Sequence, residues 1–144
     1  MPLAREFRHS IAAAHRTLAA MDPGRAHQPF RESGWQRVEL LGHLIGSCLY
    51  NHVRFLNAVN KGSLAVERYD PLGSVRLHNY AALDWEEVLD NRRIHNELLA
   101  RAVDRMPEAA HAIECRLEDG ETMRLDELVR DYLRHIEHHI AQLA

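Results

Sequence analysis

Tyr132-Leu133-Arg134-His135-Ile136-Glu137-His138-His139, near the end of a 144-residue chain, is the stretch from which the rest is read. Around it Leu125, Leu128, Val129, Tyr132, Ile136, Ile140 and Leu143 recur every three or four positions, the pattern of one amphipathic helix starting near Leu125. On that helix His135 and His139 stand one turn apart on one face. His139 lies on the flank of the apolar stripe with His135 beside it, whereas His138 points toward solvent with Arg130 and Arg134. Two imidazoles so placed offer two nitrogens from a rigid helix to one metal ion, and a third from another helix would complete a site.

Working outward, three more helical patterns appear. Residues 3–20 place Phe7, Ile11, Ala14 and Leu18 on one stripe, stopped by Met21-Asp22-Pro23-Gly24. Residues 35–60 carry Val38, Leu41, Ile45, Cys48, His52, Phe55 and Val59, and end at Lys61-Gly62. The third pattern has Asp84 as its N-cap with Glu86 and Glu87 in the first turn, and Pro107 closes it after Met106. Residues 113–123 alternate around Glu118-Asp119-Gly120, which is compatible with a small β-hairpin before the last helix. Residues 62–80 show no periodicity and read as a lid or crossover. Four long helices with long connections argue an all-α chain, one domain over residues 1–144, folded as a four-helix bundle with a crossover.

The composition excludes several classes of function. A net charge of −3 with scattered Arg and Lys leaves no basic surface for nucleic acid. No run reaches the roughly 18 apolar residues of a membrane span, and the charged start has no signal core. The expected location is therefore cytoplasmic, with Cys48 and Cys115 as reduced thiols. A phosphate-binding glycine loop and a Gly-x-Ser-x-Gly elbow are absent. So is His-Glu-x-x-His: Glu137 occupies the third position and points away from the histidine pair. Paired Glu-x-x-His motifs are missing too, which leaves a mononuclear site.

For the third nitrogen, His43 in Leu40-Leu41-Gly42-His43-Leu44 competes with His52. Periodicity alone favours His52, which sits mid-stripe, while His43 lies on the opposite side. Residues 40–49, however, are apolar almost all round, so that part of the helix is expected to be covered on several sides. Gly42 and Gly46, one turn apart, permit a close approach of another helix there. Glu39 and Asp131, each four residues before a histidine, are candidates to accept a distal ring N–H. They are equally ordinary helix-surface pairs.

Gly34-Trp35, Glu39-Leu40-Leu41-Gly42-His43-Leu44-Ile45-Gly46-Ser47, Asn51-His52-Val53-Arg54-Phe55 and Tyr132-x-x-His135-x-x-His138-His139-Ile140-x-Gln142 together resemble the DinB/YfiT-like superfamily, over nearly the whole chain. The resemblance implies a four-helix bundle with a long crossover and one divalent metal held by His43, His135 and His139. It also implies a homodimer formed through helix faces. Relatives with assigned activities include thiol-dependent transferases and an isomerase; others are regarded as metal-dependent hydrolases. The expectation is a metal-dependent S-transferase, activating a small-molecule thiol for attack on an electrophilic substrate. Zinc or nickel suits nitrogen ligands best, with iron or manganese compatible. A hydrolase using bound hydroxide, or a non-catalytic metal-binding or dimerisation module, are the alternatives, and no catalytic residue beyond the ligands is named by the sequence.

Overall fold

The computed structural model describes residues 2–30 and 34–143. In chain order its elements are α1 (Leu3–Ala19), α2 (Arg37–Lys61), β1 (Leu64–Ala65), α3 (Pro71–His78), α4 (Trp85–Asp104), β2 (Glu114–Arg116), β3 (Thr122–Arg124) and α5 (Leu125–Leu143). Short 3-10 turns interrupt the connections.

Each long helix follows from its stripe. In α1 the buried positions are Leu3, Phe7, Ile11, Ala14 and Leu18, one face of a helix, and the chain leaves it through Asp22, whose side chain accepts the Gly24 N–H at 2.9 Å. Helix α2 ends where Gly62 adopts φ 76°, the left-handed conformation that favours glycine. It starts two residues later than the pattern from Trp35 suggests: Gln36 is the N-cap, and its backbone N–H donates to the Glu39 carboxylate at 2.9 Å. Asp84 does occupy the N-cap of α4, but its side chain makes no capping hydrogen bond.

The order of packing is less obvious than the helices. Helix α1 rests on α4 and α5, and α2 rests on the same two. Consecutive long helices, α1 with α2 and α4 with α5, therefore stand at opposite corners of the bundle. Short loops join only neighbouring corners, so both diagonal connections must be long. This arrangement sets α2 directly against α5. The core between the helices contains Phe7 stacked on Tyr132 with centroids 5.9 Å apart and Phe55 edge-on to the same ring at 6.3 Å.

Residues 62–80 are more ordered than their lack of periodicity suggests. They hold β1 and then α3, which begins with Asp70 accepting the Gly73 N–H at 2.9 Å and Pro71 in the first turn. Two turns are too few to display an apolar period. This segment and the following Tyr80 lie on the outer side of α2. A Cβ at Gly42 would sit 2.1 Å from the Tyr80 ring, and one at Gly46 would meet the Ser74 hydroxyl at 3.4 Å. The glycines thus admit the crossover, and its cover explains why residues 41–48 are buried without a break.

The expected hairpin forms from β2 and β3, and β1 extends it in parallel beside β2. The Val66 N–H donates to the Arg116 carbonyl at 2.8 Å, which ties the crossover to the segment leading into α5. Among the described residues no helix is long and apolar enough to cross a membrane.

Candidate metal centre

The α2–α5 contact brings His43, His135 and His139 together. One ring nitrogen of each lies within 4.8 Å of those of the other two, and no other such trio of potential ligands occurs among the described residues. Ring centroids are 5.4 Å apart for His43 and His135, 4.9 Å for His43 and His139, and 4.4 Å for the α5 pair. His43 is 8% exposed, while His135 and His139 are half-buried. The Trp35 ring lies 5.7 Å from that of His43, tilted by 55°.

Burial decides the protonation state. It holds His43 at a pKa of about 4, with His139 and His135 acting in the same direction. Burial likewise lowers His135 and His139; Asp131 opposes the shift at the first and the Gln142 hydrogen bond opposes it at the second. All three rings are neutral at pH 7, the form in which imidazole has a lone pair to give.

Hydrogen bonds then choose the nitrogen. His139 Nδ1 lies 2.8 Å from Gln142 Oε1, an acceptor, so the ring proton resides on Nδ1 and the lone pair on Nε2. His135 Nδ1 faces the Ser47 hydroxyl at 3.4 Å, a longer contact to a group that can donate or accept and so does not by itself fix the ring proton. The two Nε2 atoms lie 2.9 Å apart, and with Nδ1 protonated on both rings their lone pairs face each other. Two such lone pairs repel unless a cation or a proton lies between them. Nitrogens bound at about 2.1 Å to one ion are about 3.0 Å apart at a right angle and about 3.4 Å apart at the tetrahedral angle, so the spacing suits a shared ion. The donor set, three neutral imidazoles on two packed helices, fits a divalent cation.

The carboxylates considered as ring partners are not used that way. Glu39 caps its own helix, and Asp131 pairs with Arg134 at 3.2 Å. Ser47 and Gln142 take their place. Gln142 was readable as a residue three positions after His139, a spacing at which helical side chains meet, whereas Ser47 becomes a partner only through the α2–α5 contact. His52 lies outside the cluster: it is half-buried toward α4, where His95 contributes with burial to lowering its pKa. His138 is exposed on the outer side of α5, its ring 5.3 Å from His139.

His135 and Ser47 open on a cavity of about 480 Å³ whose walls include Arg54, Tyr69, Asp131 and Leu117. The hairpin and the crossover thus supply one side of it. Arg54 is held by the Glu67 carbonyl at 2.6 Å and lies over the Tyr69 ring at 5.7 Å. Asn51 donates to the Ser47 carbonyl at 2.8 Å and fixes the floor. A larger cavity of about 650 Å³ shares Arg54 but contains none of the three histidines.

The family model of the DinB superfamily matches residues 6–143. Among solved structures, YfiT from Bacillus subtilis, described as a probable metal-dependent hydrolase with an unusual four-helix bundle topology, superposes with a TM-score of 0.82. It is 18% identical, over 97% of this chain and 81% of that one. The mycothiol-dependent maleylpyruvate isomerase superposes with a TM-score of 0.80 at 17% identity, over 100% of this chain but only 61% of the isomerase. At these identities the likeness establishes the fold. No curated protein sequence matches the chain.

Proposed function

This chain belongs to the DinB superfamily, and on that basis we propose that it is a divalent-metal-dependent enzyme that activates a low-molecular-weight thiol for transfer to an electrophile. His43, His135 and His139 would hold the ion through their neutral rings. The observation that carries the reading is the convergence of three imidazole nitrogens within 4.8 Å, one of them on His135, which also lines a cavity. Bound there, a divalent ion supplies Lewis acidity, lowering the pKa of a thiol or water beside it.

The chain's own residues divide the remaining work. Gln142 keeps the His139 ring proton on Nδ1 and so aims its Nε2 lone pair inward, and Ser47 is placed to accept the corresponding proton of His135. Trp35 packs beside the buried His43. Arg54, braced by Glu67 and Tyr69, is of the described residues the one Arg or Lys lining the cavity, beside the carboxylates of Glu118, Asp119 and Asp131, and would take an anionic group of the thiol or the electrophile. Among the described residues no carboxylate is hydrogen-bonded to any of the three rings. That favours a thiol over water as nucleophile: a thiol near pKa 8.5 needs a shift of only about one or two units to ionise at neutral pH, whereas water at 15.7 needs about nine.

One observation favours hydrolysis instead. Asp131 lines the same cavity and acts electrostatically on His135, a position from which a carboxylate could accept a proton from water. The readings separate in a single experiment. Protein carrying one equivalent of zinc or nickel is given a generic aromatic electrophile with and without a panel of small thiols, and separately a generic ester without thiol. Thiol consumption that disappears in His139→Ala supports the transferase. Ester turnover without thiol that disappears in Asp131→Asn would replace it with the hydrolase. Absence of stoichiometric metal in wild type, with no difference from His43→Ala, would overturn both.

A further inference from the structure

Away from the histidine cluster, the fold buries a cation that has no ion pair among the described residues. Arg92, on the inner face of α4, is 1% exposed, yet its Nε and Nη2 atoms have no hydrogen-bond partner. The titratable groups nearest it are Tyr132 and Cys48, whose protonated forms burial favours, so neither supplies a counter-charge. Asn96, one turn further on, is already committed: its amide donates to the Arg92 carbonyl at 3.0 Å and its oxygen accepts from the Tyr132 hydroxyl at 2.5 Å. A buried guanidinium is normally paired, because the desolvated charge is otherwise costly.

Arg92 also lines a cavity of about 390 Å³ between α1 and α4, within the size range of small-ligand sites. The other polar groups there are nearly all donors. Arg8 is paired with Asp104, and Arg93 with Glu97 at 3.3 Å. Arg16 has no ion pair among the described residues, and His15 Nδ1 is buried without a partner. Ile11 and Ala12 give the cavity an apolar side. Glu97 is its one carboxylate, and it is occupied by Arg93.

We propose that this α1–α4 cleft is a second ligand site, which takes a small organic anion, a carboxylate or a phosphate monoester. Its charged oxygens would pair with Arg92 and Arg16, and its apolar part would lie against Ile11 and Ala12. The planar fork of Arg92, with two free donor atoms, matches the two oxygens of either group.

The test uses the full chain with phenyl phosphate and benzoate as probes, and inorganic phosphate and sodium chloride at matched ionic strength as controls. Melting temperature and calorimetric titration are read for wild type, Arg92→Met and Arg16→Gln. A saturable rise in melting temperature with one of the organic anions, exceeding that with inorganic phosphate, is expected. Arg92→Met should weaken binding about 10- to 100-fold, as loss of a charge-assisted hydrogen bond predicts, and Arg16→Gln should weaken it less. A response to inorganic phosphate equal to that of the organic anions would overturn the organic part of the proposal. No saturable response, or an equal one in Arg92→Met, would overturn the site. If Arg92→Met does not fold, the Arg92 Nε–H resonance of wild type decides: it must shift on titration with the anion that binds. Metal content should be the same in both variants, so this outcome is independent of the histidine cluster.

Discussion

The replacement of Gln142 by Leu isolates the claim that hydrogen bonding, and not ring position alone, prepares this site for a metal. Gln142 Oε1 accepts from His139 Nδ1 at 2.8 Å, a full-strength hydrogen bond, and the residue is only half-buried. Leucine keeps the helix and much of the packing but leaves the His139 proton free to move to Nε2, the nitrogen that faces His135. Loss of such a partner typically costs 10- to 100-fold in metal affinity, or about 1.4 to 2.8 kcal/mol. Ser47→Ala removes a contact of 3.4 Å, at the outer limit of hydrogen bonding, and should cost less than tenfold. Gln142→Glu retains an acceptor and should preserve or raise affinity. Glu39→Gln provides the control: its carboxylate serves the Gln36 N–H, so it should lower stability by about 1 kcal/mol or less while leaving affinity unchanged. The assay is competition with a chromophoric chelator for zinc and for nickel. Full affinity in Gln142→Leu, or a loss in Glu39→Gln as large as that in Gln142→Leu, would refute the reasoning.

Three further outcomes follow from the packing and the charges. Gly42→Ala drives a methyl group into the Tyr80 ring, 2.1 Å from Cδ2, and should destabilise the fold by about 1–3 kcal/mol in chemical denaturation; an unchanged midpoint would mean the crossover is not packed on α2 as described. The metal-free protein should lose stability as pH falls from about 6.5 to about 4. His43 has its folded pKa below its unfolded one, so the unfolded chain binds the proton first in that window. The contribution is at most about 3 kcal/mol, and His43→Gln should flatten the acid limb of the stability curve. Finally, the homodimer that we propose for this chain has an apolar face through which to form: Val53 and Leu56 of α2 with Ile94 and Leu98 of α4 are each more than two-fifths exposed. Val53→Asp with Leu98→Asp should yield a monomer by light scattering, and a wild-type monomer at high concentration would remove the proposal.

Much of the fold was legible because each long helix buries a single stripe, and a period of three to four residues survives in sequence. The bounds of α1, α2 and α5 fall within two residues of those the stripes suggest. Helix α3 was not legible by that signal, since eight residues on an irregular crossover complete no repeating pattern; the pair Asp70-Pro71 was its only local mark. In the site, the i, i+4 spacing of His135 and His139 revealed one half. The stripe on α2 pointed to His52, because a helical wheel reports which face meets the bundle and takes no account of a crossover packed outside it.

The chain's local order thus determined the helices, their stops and the pair of imidazoles one turn apart, all consequences of hydrogen bonds and side-chain directions within a few residues. Which third histidine joins them, and that Ser47 and Gln142 rather than a carboxylate face their rings, depended on the bundle. Placing α1 and α2 on opposite corners sets α2 against α5, and that contact between segments distant in sequence is the physical reason why His43, which the family resemblance named and the helical stripe did not, joins the pair instead of His52.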